Sequence, residues 1–199
     1  MDEDVHRITK KGLAGDTGYL RAVLSFLWNS GVPVAKYTAY ALVYQYSMNI
    51  LLDTAQDCSR CGGRCCREGH PVPLYPFDVD ELRRNLGDDV EKKLIKVGNG
   101  YALPRPCPFQ SGWRCSIHSF KPYACLCYPF ATEDEQIDNM KRYNGEGLPV
   151  LSIPSDCPAA KRVYETVTSI ARELKKKLLR DPAPTELLDE LIRRFSSHK

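Results

Sequence analysis

The residues most suited to chemistry are cysteines, and they are bunched. Cys58, Cys61, Cys65 and Cys66 fall within Cys58-Ser59-Arg60-Cys61-Gly62-Gly63-Arg64-Cys65-Cys66. A C-x2-C pair such as Cys58 and Cys61 lets two sulfurs of one tight turn reach the same metal ion. Gly62 and Gly63 allow the positive φ that such a turn needs. Neighbouring Cys65 and Cys66 have diverging Cβ vectors and are ill placed to serve one small tetrahedral ion together. That points to two metal centres, or to one centre and a spare thiol. The other thiols follow in Cys107-Pro108-Phe109, Cys115-Ser116-Ile117-His118, Lys121-Pro122-Tyr123-Ala124-Cys125-Leu126-Cys127-Tyr128-Pro129-Phe130 and Cys157-Pro158. All nine cysteines lie between residues 58 and 157, so the middle of the chain is one cysteine-organised module.

This ordered set resembles the CxxCxxCC cysteine-cluster family, described as a zinc- or iron-chelating domain. In outline that family has a four-cysteine cluster, then CPF, then C-x-I-[YH], then [RK]-P-x-x-C-R-x-[YF]-P-F, then a late Cys-Pro. Residues 58–66, 107–109, 115–118, 121–130 and 157–158 match those blocks in order. The likeness spans residues 56–160. The chain departs from it in having three residues between Cys61 and Cys65, Leu126 in place of an arginine, and Cys127 as an extra thiol. Spacing and resemblance together make Cys58, Cys61, Cys65, Cys66, Cys107, Cys115, Cys125 and Cys157 the expected ligands. The implied cofactor is Zn²⁺ or an iron–sulfur cluster of the 4Fe-4S type. His118 falls where the family also carries tyrosine, which argues against ligation, and His70 reads as a surface loop residue. The family also looks like the cysteine-rich part of flagellin lysine-N-methylases, which implies methyl transfer from S-adenosylmethionine to a protein lysine. No glycine-rich cofactor motif accompanies it here, so that reading stands third.

Tetrahedral zinc takes four ligands, so eight sulfurs close two sites and leave one thiol over. An iron–sulfur cluster also takes four cysteines and tolerates irregular loops. Disulfides are the weaker alternative. Met1-Asp2-Glu3-Asp4 lacks the basic start of an export signal, so the expected location is cytoplasmic and the thiols are expected to stay reduced. Only one clear C-x2-C is present, and the other ligands are single residues in proline-rich loops, which leans toward iron–sulfur. Cys127 is the expected spare. It lies two residues after Cys125, on the same face if that segment is extended. Arg60, Arg64, Arg67, Arg114 and Lys121 stand close in sequence and can offset thiolate charge. No Ser-His-Asp set, phosphate-binding glycine loop or paired catalytic carboxylates are seen, which leans against an enzyme. The expected role is redox, electron transfer or assembly with a protein partner. The alternative is a structural zinc module of a protein or ribonucleoprotein complex. A net charge of +3 is too small to argue for nucleic acid by itself.

The elements that must position these thiols read as follows. With 199 residues, 43% hydrophobic and 27% charged, the chain can bury a core. The expected fold is mainly α with a small, irregular β- and loop-rich cysteine module. A metal-stapled core would be flanked by N- and C-terminal helices, divided as 1–55, 56–160 and 161–199. Residues 1–17 are polar and read as loosely packed. Apolar periodicity predicts a helix from Tyr19 to Trp28 and another from Val34 to Leu52. The second is a core or dimer face with a Tyr37, Tyr40 and Tyr44 stripe. Lys36, Gln45 and Asn49 spoil it as a membrane span. Pro71–Leu74 reads as extended. Asp78 is placed to cap a helix to Leu86 with Val79, Leu82 and Leu86 inward, and a short helix runs from Asp89 to Val97. Gly98-Asn99-Gly100 and Gln110-Ser111-Gly112 are turns. Residues 132–148 read as an acidic loop. Asp156 caps a long helix from Pro158 to Leu179, and Thr185 caps a last one. The terminal helices are the expected surface for a protein partner.

Overall fold

A computed structural model of the chain describes residues 2–130 and 134–196. The architecture is mainly helical, with two small antiparallel sheets and many loops. In chain order the long helices at the start are α1 (Asp2–Leu13), α2 (Thr17–Asn29) and α3 (Pro33–Tyr46). Asp16 caps α2 by accepting from the Gly18 and Tyr19 amides, and Pro33 supplies the preset φ of a first turn. The α3 axis does not stop at Tyr46 but widens into a π turn at Ser47–Leu51. Two short helices, α4 (Ala55–Cys61) and α5 (Arg64–Arg67), then carry the first four cysteines.

The middle of the chain is assembled from short pieces. Strand β1 (Val72–Leu74), helix α6 (Pro76–Leu86), a 3₁₀ turn at Asp88–Lys93, and strands β2 (Ile95–Val97) and β3 (Gly100–Leu103) come first. β3 sits between β1 and β2 in a three-stranded antiparallel sheet. Strands β4 (Gln110–Ser111) and β5 (Arg114–Cys115) form a separate hairpin that turns at Gly112, where φ is +61°. Helices α7 (Tyr123–Cys127), α8 (Asp134–Arg142), α9 (Pro158–Leu178) and α10 (Pro184–Phe195) complete the described fold.

Two apolar cores result. The first joins α2, α3, α9 and α10 through Leu20, Leu24, Tyr40, Tyr44, Val163, Val167, Leu187 and Leu191, and takes Leu126, Cys127 and Phe130 from the end of α7 and beyond. Tyr37, Tyr40 and Tyr44 are buried, so the aromatic stripe of α3 is a core surface. Each hydroxyl finds a partner: Tyr37 donates to Gln136 Oε1 at 2.6 Å, Tyr40 to the Pro182 carbonyl at 2.7 Å, and Tyr44 pairs with Thr168 at 3.0 Å. The second core is smaller. Leu74, Val79, Leu82, Val90, Leu94, Leu103, Phe109 and Ile117 surround Cys107, with Cys66, Cys115 and Cys125 packed on its edge.

Several sequence expectations are corrected. Residues 2–13 are a packed helix rather than a loose tail. Lys10 reaches down from α1 to Asp78 at 2.6 Å and also pairs with Glu81, and the His6 ring lies 4.8 Å from that of Tyr75. Asp78 is not the first cap of α6. It sits a turn inside, where its carboxylate accepts from the Tyr75 amide at 3.1 Å and the Tyr123 amide at 3.0 Å. The stretch from Asp89 to Val97 splits into a 3₁₀ turn and strand β2, because Gly98 closes a hairpin that pairs Val97 with Gly100. Leu86 and Val97 are consequently exposed. Within the acidic segment, residues 134–142 form α8, held by buried Gln136, whose Oε1 also accepts from the Ser152 amide at 2.7 Å; residues 131–133 lie outside the described part. Cys157, not Asp156, caps α9, and Ala183, with Glu186 accepting from its amide at 2.7 Å, begins α10 in place of Thr185. Among the described residues no helix is long and apolar enough to cross a membrane.

Candidate metal centre

Helix α4 places Cys58 and Cys61 one turn apart on a single face. The chain then reverses through Gly62 (φ +64°) and Gly63 (φ +66°), two consecutive left-handed residues. A Cβ on Gly63 would stand 2.7 Å from Gln110 Nε2 and 2.9 Å from the Trp113 carbonyl oxygen, so glycine is required sterically as well. The Gln110 amide holds the reversal by donating to the carbonyls of Gly62 and Gly63, each at 3.2 Å. This turn presents Cys65 and Cys66 from α5.

The remaining thiols are brought to the same place by separate segments. The Cys107 amide donates to the Cys66 carbonyl at 2.7 Å, and the Gln110 amide to the Cys107 carbonyl at 3.1 Å. Gln110 pairs across the β4–β5 hairpin with Cys115. Asp78, through the Tyr123 amide, fixes the start of α7 and with it Cys125. Cys157 arrives as the cap of α9, its Sγ accepting from the Ala160 amide at 3.4 Å. Arg162 of α9 grips α4 through Asp57 Oδ2 at 2.7 Å. All eight expected ligands, Cys58, Cys61, Cys65, Cys66, Cys107, Cys115, Cys125 and Cys157, line one cleft of about 1890 Å³.

Cys127 does not line that cleft. Residues 123–127 are helical rather than extended, so a side chain two positions on points away from Cys125. It is buried in the first core beside Tyr123, with which it hydrogen-bonds. Truncating it should leave the metal content untouched. Cys127→Ala is expected to retain full metal at a cost of about 1 kcal/mol for the small void, whereas Cys125→Ala loses at least one site's complement. Elemental analysis of the two purified variants checks this, and equal metal loss would assign the spare thiol to the wrong residue.

The thiols influence one another electrically. The hydrogen bond with Cys66 lowers the Cys65 thiol. Cys66 is pulled down by its bond to Cys107, but its bond to Cys65 and burial push it up to about 11. The Cys66 bond followed by burial drives Cys107 upward. Burial raises Cys125 to about 12 and also raises Cys58, Cys115 and Cys157. Two cations oppose this. The part-buried Lys121 ammonium donates to Asn49 Oδ1 at 2.8 Å, while Arg105 acts on Cys107 and Cys125. Asn49 donates in turn to the carbonyls of Gln45 at 2.7 Å and Leu126 at 2.8 Å. It stands on the π turn after α3, an element frequent at functional sites. In the sequence Asn49 reads only as an interruption of an apolar helix. Of the cations expected to offset charge, Arg60, Arg64, Arg67 and Arg114 are exposed, and Lys121 is part-buried on the cleft wall among the thiols.

As placed, the sulfurs stand apart: among the described residues no three His, Cys, Asp or Glu side chains converge closely enough to hold a metal ion. The donor set nevertheless suits a soft metal. Eight thiols line one cleft beside the part-buried Lys121 ammonium, and one rotatable bond separates each Sγ from its backbone. His70, on a loop, and His118, at the start of a 3₁₀ turn (His118–Phe120), also line the cleft.

Comparison with known proteins agrees with the chemistry of that wall. Residues 57–144 match the CxxCxxCC family. Its description is "Putative zinc- or iron-chelating domain". The CxxCxxCC match takes in seven of the eight cleft cysteines and stops short of Cys157, which reaches the cleft through α9. No curated protein and no solved structure matches the chain.

Proposed function

We propose that this protein is a redox module: the cleft thiols hold an iron–sulfur centre that exchanges electrons with a protein partner. The observation that carries the reading is the placement of eight thiols on the wall of one open cleft rather than inside a closed knot. Structural zinc sites are closed, four-coordinate and sealed by their own loops. Cys65 is exposed, and most of the other cleft cysteines are only part-buried, which leaves a route for electrons to a docked partner. When bound, a cluster supplies one-electron chemistry at a potential set by nearby charge and hydrogen bonds. Lys121 supplies that charge, and Asn49 holds it in place. The terminal helices turn most of their apolar residues into the first core, and α2 leaves Tyr19 and Phe26 exposed toward a partner.

Metal analysis of anaerobically purified protein tests the reading. A brown protein absorbing near about 400 nm and bleached by air is the expected result. Colourless protein carrying zinc would redirect the assignment to a structural zinc module of a larger complex. Less than about half an equivalent of zinc plus iron would remove metal binding altogether.

A further inference from the structure

The cleft thiols are not one undivided set. We infer that they form two separate four-thiolate sites, Cys58, Cys61, Cys65 and Cys157 on one side and Cys66, Cys107, Cys115 and Cys125 on the other, divided at the Cys65–Cys66 peptide bond. The inference rests on the metal-binding reading and adds its stoichiometry and ligand assignment.

Backbone and ion-pair connections draw the division. On the first side, Cys58 and Cys61 share a face of α4, and Arg162 ties that helix to the start of α9 through Asp57. Asp156, next to Cys157, pairs at 2.8 Å with Arg64, next to Cys65. The four residues are thus laced together by two ion pairs. On the second side, Cys66 is joined to Cys107 by a 2.7 Å backbone bond, Cys107 to Gln110 at 3.1 Å, and Gln110 to Cys115 across the hairpin. Packing agrees. Cys66, Cys107, Cys115 and Cys125 all belong to the second apolar core, whereas Cys157 packs on the first.

The division also explains why two cysteines are adjacent. Cys65 and Cys66 stand side by side on α5 with their thiols in contact, which is where two tetrahedra can abut, each thiol completing a different one. Two sites of four thiolates concentrate negative charge, and part-buried Lys121, on the cleft wall, lies where it acts on Cys58 and Cys65 of the first set and on Cys115 and Cys125 of the second.

Cobalt(II) titration of the metal-free full chain under anaerobic conditions tests the inference, because cobalt bound by four thiolates has intense, countable absorption. The expected uptake is about two equivalents per chain. Saturation at one equivalent would overturn the division. No uptake at all would instead overturn the metal-binding reading beneath it. Variants then assign the ligands. Cys61→Ser and Cys115→Ser should each keep one equivalent, Cys61→Ser with Cys157→Ser should still keep one, and Cys61→Ser with Cys115→Ser should keep none. Loss of both equivalents from Cys61→Ser with Cys157→Ser, at unchanged far-ultraviolet dichroism, would show a single shared site. Where a variant fails to fold, the wild-type stoichiometry decides alone.

Discussion

Stripping the metal from the native chain should melt the cysteine module and leave the helical core standing. The second core is small, and its sheets are built from strands of two to four residues. Pieces of that size do not bury enough apolar surface to hold themselves, so they depend on a staple. With a metal bound, the staple is strong: structural zinc contributes about 10–16 kcal/mol in apparent terms, comparable with the about 5–15 kcal/mol stability of a whole domain. The first core draws on α2, α3, α9 and α10, whose buried leucines, valines and tyrosines need no sulfur ligand. Chelation should therefore expose residues 56–125 to protease and to hydrogen exchange while most helical dichroism persists. The start of α9 should fray, because Cys157 is its cap. An unchanged melting temperature after complete metal removal would defeat this expectation.

Lys10→Met should destabilise the protein by about 3–5 kcal/mol, the usual cost of removing one partner from a buried ion pair. The Lys10 ammonium lies 2.6 Å from Asp78 Oδ1, with the two residues 7% and 1% exposed. Asp78 is the point where three segments meet. It accepts from Lys10 of α1, from the Tyr75 amide at the start of α6 and from the Tyr123 amide at the start of α7. Two neutral amides do not replace an ammonium for a carboxylate out of water. Loss of the lysine should loosen α1 and the α7 segment that carries Cys125. Urea denaturation reads the effect. Adding Asp78→Asn to Lys10→Met should restore part of the loss, since the buried charge is then gone and the other former partner, Glu81, is part-exposed to water. A loss below about 1 kcal/mol would mean that the pair is solvated and not a structural hub.

The cysteine module and the helical faces were legible in the sequence because their signals are local. Gly62-Gly63 between two cysteine pairs demands a left-handed turn, and the apolar spacing of Leu20, Val23 and Leu24 or of Val163, Val167 and Ile170 demands a helix buried on that face. The adjacency of Cys65 and Cys66 pointed to two centres, or to one centre and a spare thiol. Tertiary structure decided what local patterns cannot carry. A lysine in a polar tail reads as solvated until Asp78, 68 residues away, is brought under it. Asn49 reads as a blemish on an apolar helix until a π turn aims it at Lys121. Cys127 reads as a neighbour of Cys125 until α7 coils and sends the two sulfurs to opposite sides. The gathering of eight cysteines onto one cleft is the largest of these decisions. It depends on ion pairs and hydrogen bonds between segments up to about a hundred residues apart, such as Asp57 with Arg162. Such long-range pairings are chosen by how the two cores pack, and no sequence window contains them.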